Sequence, residues 1–550
     1  MRFNHVLRLV GTLGLAATLA ACASTPASAP PPLVVLLAVD GLPQRQLLDY
    51  RDQLAPDGLA RLLDRGSWFA NAHYGHAFTV TGAGHATMLT GASPHRSGII
   101  GNDWRDPATG NAVYCASDAS ATYIGHPTKP LDGTSPKNLK AETVGDVLRR
   151  ASPQSKVIAI SGKDRGAILP AGKTGTAYMY MGGSGAFASS TYYMAQHPAW
   201  VNSFNAAKPA DRYFKTAWTA LLPESAYARS VPDNQQWFAR GGSLPMQMNA
   251  PDDTAPGPAF YSALLRSPFA DALALDFARA AITGEQLGQR GVSDILSVSL
   301  SGHDYVNHAF GAESRLSHDH LLQLDRLFQS FFRDLDTVVG KNNYLVVLTA
   351  DHGFMPAPEY SAAQGQDSGR IGLGAALGRM NEAMEKQFGE GKWLGFSGSS
   401  LLVNRTLLAQ KKLDANTLAE AARTLVLAEP GIAAAYTRAE LQSGSQAAAP
   451  FFAQMRKSWH PEVSGDVQFT VKPHWMVGTG YAATHGSPHA YDTHVPIALY
   501  GPRWVQPGRI DTPVQVVDIA PTLARWLQVA APARSEGTPL PVRAPAQAAP

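Results

Sequence analysis

The chain is short of cysteine, with only Cys22 and Cys115 in 550 residues. A disulfide-dense scaffold, a Cys-based zinc ribbon and an iron–sulfur protein are excluded, so any metal must be held by histidine and carboxylate. A large charge imbalance is also missing. Lys and Arg number 46 against 43 Asp and Glu, a net charge of +3; a surface that neutralises many phosphates of a nucleic acid would push the balance further. No dedicated nucleic-acid partner is expected. Beyond the N-terminal segment no run of about 18 apolar residues occurs, so no second membrane segment is predicted, and no internal repeat is seen. What is present is 45% hydrophobic and 16% charged, the profile of a folded chain able to bury a large core.

The N-terminus reads as an export signal. Arg2 and Arg8 flank the start of an apolar run, Leu9 to Ala21, too short to span a bilayer comfortably and shaped like a secretory h-region. Its end, Leu19-Ala20-Ala21-Cys22, resembles the lipobox of bacterial lipoproteins, in which Cys22 becomes the acylated first residue; plain cleavage after Ala21-Cys22-Ala23 is the alternative. The expected organisation is a signal over 1–22, a Pro-rich linker over 23–32, one large domain over 33–535 and a flexible tail over 536–550. The expected location is outside the cytoplasm, in the periplasm, with a lipid anchor to the outer membrane. Cys115 is left as a lone structural thiol.

Five short apolar runs bounded by turn signals read as buried parallel strands: 33–39, 156–160, 295–300, 344–349 and 496–500. Between the third and fourth, Leu321, Leu324, Phe328, Phe331, Leu335 and Val338 recur at helical spacing, with Ser317 as the N-cap and Gly340 as the stop. Further helices are predicted over 142–151 and after Asp518. This alternation predicts an α/β fold with an open, mostly parallel sheet flanked by helices. The stretches 175–260 and 355–460 fit the pattern poorly and are expected to be insertions forming a cap over the sheet's edge.

The residues after each strand carry the chemistry. Asp40 ends the first run, Lys163 and Arg165 follow the second, Asp304 and His308 the third, and Asp351 with His352 the fourth. In doubly wound sheets the carboxyl ends of the strands share one edge, where ligands bind. An acidic group there is costly without a partner, and acids with adjacent or i+4 histidines match the donor set zinc prefers. Taken singly, Asp40-Gly41 and Asp351-His352-Gly353 are ordinary turns, and His303 and His308 are ordinary loop residues; the joint pattern, with a late His485, is what departs from chance. A candidate nucleophile lies in the stretch from Phe78 to Gly91, where small residues precede a short helix. A hydroxyl at a helix start faces free N–H groups that also welcome phosphate, though Thr79 or Thr81 could simply cap the helix.

The segments AVDG, TGAGHATMLTG, GNDW, SGKDRGAI, SGHDYVNHAFG, LTADHGF and THGSPHAYDTHVP, in this order from Leu33 to about Leu527, resemble the alkaline phosphatase superfamily. Within it they resemble the PafA-type monoesterases with a threonine nucleophile, relatives of the nucleotide pyrophosphatase/phosphodiesterases. The resemblance implies Thr81 as nucleophile, with Asp40, Asp351 and His352 joining it around one Zn2+ and Asp304, His308 and His485 around a second. His489 and His494 lie close to His485 and compete with it for the last place. Asn102, Lys163 and Arg165 are implied as phosphoryl contacts.

The expected function is an exported two-zinc phosphatase hydrolysing small phosphate monoesters through a phosphothreonine. A metal-stabilised alkoxide would attack and the second metal would hold the departing oxygen. Lys163 and Arg165 favour a dianionic monoester over a diester. The alternatives are a phosphodiesterase or pyrophosphatase of the same superfamily and a non-catalytic zinc-binding envelope lipoprotein. A sulfatase is disfavoured, because the cysteine of its C-x-P-x-R signature is replaced by Thr81.

Overall fold

The computed structural model describes residues 29–545. The export signal, Cys22 and most of the Pro-rich linker lie outside the described residues. Nine strands form the main sheet: β1 (Leu33–Val39), β2 (Ser67–Phe69), β3 (Val157–Ser161), β4 (Thr176–Met181), β5 (Ala186–Ala188), β6 (Asp294–Leu300), β7 (Tyr344–Thr349), β8 (Ala498–Tyr500) and β9 (Gly508–Ile510). Their order is β9-β2-β8-β7-β1-β6-β3-β4-β5. β1, LVVLLAV, is buried along its whole length, as a strand covered on both faces must be. It pairs in parallel with β6 and β7, Val39 opposite Leu300 and Ala38 opposite Thr349, and β6 pairs in parallel with β3, Ser299 opposite Ser161. Four carboxyl ends therefore finish nearly level, and that level edge positions the site.

The crossover from β6 to β7 runs through the helix Arg315–Leu335, which packs Leu321, Leu324, Phe328 and Phe331 into the core. Its cap differs from the expected Ser317. Ser314 occupies the N-cap and its hydroxyl accepts from the Ser317 N–H; the two serines are three residues apart and the sequence does not separate them. The helix at 142–151 starts at Val144, capped by Thr143 in a reciprocal pair with Asp146, and Ile519–Trp526 forms the last helix.

One strand runs against expectation. β8 is antiparallel to β7, with Val347 opposite Leu499. The loop bearing His485 lies at the carboxyl edge of β7, so the chain leaving it has to return in the opposite direction. A buried apolar run fixes burial and leaves direction open. The stretch from 175 also begins with two strands of the main sheet, β4 and β5. Residues 394–397, 400–403, 432–437 and 467–471 form a separate four-stranded antiparallel sheet, with its own core around Met380, Trp393, Leu401 and Leu418. In the described part of the segment expected as a flexible tail, residues 536–540 are hydrogen-bonded to the domain. Glu536 N–H donates to Gly91 O, Thr538 N–H to Asp518 Oδ1 and Leu540 N–H to Thr522 Oγ1, and Leu540 is buried.

Candidate active site

Each strand end delivers one part of the site. Asp40 follows β1, and the chain then turns at Gly41, whose φ of 70° suits glycine. The Gly41 N–H donates to Asp351 Oδ1 at 3.0 Å, which ties the end of β1 to the end of β7. Lys163 and Arg165 lead from β3 into the helix Asp164–Ala171 (α2, counting the helix Thr81–Thr90 as α1). Asp304 and His308 lie on α3, Gly302–Phe310, just after β6; their i, i+4 spacing puts them on one face. His485 comes from the loop before β8.

These donors converge. His352 Nε2 lies 3.3 Å from Asp351 Oδ2, 3.5 Å from Asp40 Oδ1 and 3.9 Å from Asp304 Oδ1. Asp304 Oδ1 faces His308 Nε2 at 3.3 Å and His485 Nε2 at 3.5 Å. By distance the donors divide into Asp40, Asp351 and His352 on one side and Asp304, His308 and His485 on the other. His352 is close enough to Asp304 and His485 to stand between the two groups, and its ring stacks on His485 with centroids 3.4 Å apart. Each histidine is held by its other nitrogen: His308 Nδ1 faces Ala483 O at 3.0 Å, His352 Nδ1 faces Gly353 O at 2.9 Å and His485 Nδ1 faces Thr79 O at 2.8 Å. A carbonyl only accepts, so Nδ1 carries the proton and Nε2 offers a lone pair to the centre.

The electrostatics fit a cation site. Three carboxylates are buried together and, among the described residues, the Lys163 ammonium is their one close Lys or Arg cation, at 2.7 Å from Asp40 Oδ2 and 2.6 Å from Asp304 Oδ2. Burial, and next the Asp351 charge, push the Asp40 carboxyl well above its usual range, with Lys163 opposing. Burial acts the same way on Asp304, but Lys163, His308 and His485 outweigh it and hold that group well below its usual range. Burial lowers His308, His352 and His485, favouring the neutral form that coordinates metals. Asp40 Oδ1, Asp304 Oδ1, Asp351 Oδ2 and His352 Nε2 are buried without a hydrogen-bond partner. Buried polar atoms left so are costly, and a mixed oxygen and imidazole set directed at one space suits a divalent ion.

Thr81 opens α1 and is 1% exposed. Its Oγ1 accepts from Arg165 Nη2 at 3.4 Å, and Arg165 Nη1 also donates to the Tyr114 hydroxyl at 3.2 Å. Asn102 Oδ1 accepts from the Gly82 N–H at 2.7 Å, so its amide hydrogens are left for the cleft. Gly84 lets α1 lie against the β7 end: a Cβ there would stand 2.1 Å from Asp351 O. The Thr79 hydroxyl donates to Ser487 O at 3.0 Å. Thr81, Asn102, Lys163, Arg165, Asp304, His308 and His485 line one cleft of about 400 Å³.

Among the neighbours, His489 Nε2 and His494 Nε2 donate to Val471 O and Ala70 O, and His303 is engaged with Gln46 and His320; none of the three faces the carboxylates. The Lys163 ammonium bridges Asp40 and Asp304 and lines the same cleft as Thr81, with Arg165 the cation beside the Thr81 hydroxyl. Cys115 is buried, and burial raises its thiol far above the ordinary range, so it is a packing residue. Several residues were missed by sequence reasoning. His85, four residues after Thr81, lies 3.3 Å from Asp351 Oδ2 and places Nδ1 on Thr81 O at 2.9 Å; its i+4 spacing was the available signal. Tyr305, Arg240, Arg266 and Tyr481 also line the cleft, and only Tyr305, beside Asp304, had a sequence cue.

The family model of type I phosphodiesterases and nucleotide pyrophosphatases matches residues 34–494. The alkaline phosphatase PafA of Elizabethkingia meningoseptica is 33% identical over 516 residues, covering 93% of this chain and 94% of that protein. A Myroides odoratus protein named calcium-transporting ATPase is 34% identical over 524 residues, with 93% and 94% covered. The crystal structure of wild-type PafA superposes with a TM-score of 0.86 at 32% identity, covering 93% of this chain and 98% of that one. On these matches, the chain belongs to the type I phosphodiesterase/nucleotide pyrophosphatase family and is a PafA-type phosphatase of the alkaline phosphatase superfamily.

Proposed function

We propose that this phosphatase hydrolyses phosphate monoesters through a phosphothreonine on Thr81, with two divalent cations, zinc by donor preference, held by Asp40, Asp351 and His352 and by Asp304, His308 and His485. The observation that carries the reading is the Thr81 hydroxyl at a helix start, beside Arg165, in the cleft where the unpartnered carboxylate and imidazole atoms converge. Cations bound there would lower the pKa of the hydroxyl and stabilise charge on the departing ester oxygen.

The chain's own residues do the rest. Arg165, with its planar fork, seats the phosphoryl group against Thr81 Oγ1. The Asn102 amide and the positive end of α1 face the nonbridging oxygens. Thr81 Oγ1 attacks phosphorus as the ester P–O bond breaks, and the alcohol leaves with a proton. Water then attacks the phosphothreonine, releasing phosphate and restoring Thr81. With divalent cations held by the two ligand sets, the Lys163 ammonium would be released from Asp40 and Asp304 toward the cleft it lines. Two cationic side chains suit a dianionic monoester better than a diester with one charge and a second organic arm.

The test is hydrolysis of p-nitrophenyl phosphate and of bis-p-nitrophenyl phosphate by wild type and Thr81→Ala, with and without chelator. Expected are higher kcat/KM on the monoester, loss of turnover with chelator and loss of turnover in Thr81→Ala. Preference for the diester supports the phosphodiesterase reading, and chelator-insensitive or absent turnover contradicts the proposal. From the N-terminal sequence we also propose export and acylation at Cys22; incorporation of labelled palmitate by wild type and not by Cys22→Ser is the outcome that supports it.

A further inference from the structure

The catalytic cleft holds two cations that the proposed chemistry does not use. Arg240 and Arg266 line it together with Thr81. The other two cleft cations are engaged: Lys163 with Asp40 and Asp304, Arg165 with the hydroxyls of Tyr114 and Thr81. Arg240 and Arg266 make neither a hydrogen bond nor an ion pair through their side chains among the described residues. The same region pairs its other arginines with carboxylates, Arg212 with Asp276, Arg229 with Asp52 and Arg315 with Asp233. Two unpaired guanidinium groups lining one cleft repel each other.

Both are mounted on backbone fixed to α3. The Ala239 N–H donates to Ala309 O at 2.9 Å, and Gly242 lets the same loop lie on Phe310, where a Cβ would stand 2.3 Å from the ring. Arg266 closes a single turn, Leu264–Arg266, directly before the helix Pro268–Glu285, whose Asp271 Oδ1 accepts the Gly302 N–H at 3.0 Å. The helix that carries Asp304 and His308 thus holds both arginines in register with the reacting group. Both guanidinium groups line the same cleft, and burial, and next the Arg240 charge, hold the Arg266 guanidinium below its ordinary pKa. A cleft of about 400 Å³ is within the size of small-molecule sites.

We propose that Arg240 and Arg266 form a second anion subsite that selects monoesters whose leaving group carries a further phosphate. The proposal rests on the monoesterase reading above. The bond that breaks is still the P–O bond of the phosphoryl group seated at Thr81; the second phosphate is bound, not transferred. Arg240 is exposed and Arg266 half-buried, so the gain is that of partly screened charge pairs, roughly tenfold in kcat/KM for the two together.

The experiment compares glucose 1,6-bisphosphate with glucose 6-phosphate, and p-nitrophenyl phosphate as the uncharged-leaving-group reference, in wild type, Arg240→Ala/Arg266→Ala and Arg240→Lys/Arg266→Lys. Expected is a preference of about tenfold for the bisphosphate in wild type, expressed in KM and weakened by 0.5 M salt. The alanine pair should remove it, the lysine pair should retain part, and glucose 6-phosphate turnover should fall much less. No preference in wild type, or equal losses on all three substrates, overturns the subsite. Wild type that turns over none of the three refutes the monoesterase reading itself, a separate outcome.

Discussion

Gly84→Ala probes whether α1 is pressed against the end of β7. A methyl there would stand 2.1 Å from the Asp351 carbonyl oxygen and 2.7 Å from its carbon, where nonbonded carbon and oxygen need at least about 3 Å, so the backbones have to part by about 1 Å. Both partners are backbone, and no side chain can swing aside to absorb the clash. Overpacking of this kind costs roughly 1–3 kcal/mol of stability. The same displacement moves Thr81, three residues earlier on the helix, away from Asp351 and His352, and a misplacement of about 1 Å costs on the order of 10²-fold in rate. The assay is kcat/KM on p-nitrophenyl phosphate together with urea unfolding. Gly378→Ala is the control: it is exposed in the helix Leu373–Phe388 with nothing within 4 Å of its Cβ, so it should keep activity and gain about 0.5–1 kcal/mol from helix propensity. A Gly84→Ala enzyme with wild-type rate and stability would refute the packing argument and with it the rigid placement of Thr81.

Other outcomes are equally definite. Arg165→Ala should lower monoester kcat/KM by roughly 10²-fold, as loss of one charge-stabilising donor does, and diester hydrolysis by less; equal losses contradict the charge argument. His485→Ala should lose bound metal after dialysis while His489→Ala retains the wild-type content by elemental analysis, because only the first directs Nε2 at Asp304; equal retention contradicts the assignment. His76 is buried with both ring nitrogens unpartnered, and burial pushes its pKa down to about 3. Below pH 6.5 the unfolded chain gains a proton there that the folded chain refuses until about pH 3. This contribution to stability is therefore present above pH 6.5 and falls by about 1.4 kcal/mol per pH unit as the pH drops through that window. His73 and His318, both lowered to about 4 by burial, act in the same direction. Replacing His76 by Phe should reduce the slope of unfolding free energy against pH between 6 and 4 by about one proton's worth; an unchanged slope contradicts it.

The strand ends were legible because each of Asp40, Asp304 and Asp351 closely follows a buried β-branched or Leu-rich run, and an acid in that place requires a partner. The small residues around Thr79 and Thr81 marked the helix start, and the resemblance favoured Thr81; in the structure the Thr81 hydroxyl meets Arg165 and the Thr79 hydroxyl meets Ser487 O. The direction of β8 was not legible, since burial constrains composition and leaves the sense of the chain to the loop before it. β4 and β5 were hidden in a stretch of Tyr, Met, Gly and Ala with little β-branching. Arg240 and Arg266 carried no signal at all: one lies in an irregular loop and the other in a single turn, so only the folded backbone brings them to the cleft. Lys163 was placed at the correct edge, but its pairing with Asp40 and Asp304 depends on distances that spacing does not encode.

Anomalous scattering at the zinc absorption edge from crystals of the protein purified without chelator tests the central claim most directly. The account predicts two peaks, one among Asp40, Asp351 and His352 beside Thr81 Oγ1 and one among Asp304, His308 and His485. A metal-free cluster with Lys163 still bridging Asp40 and Asp304, in protein that hydrolyses p-nitrophenyl phosphate, would contradict it.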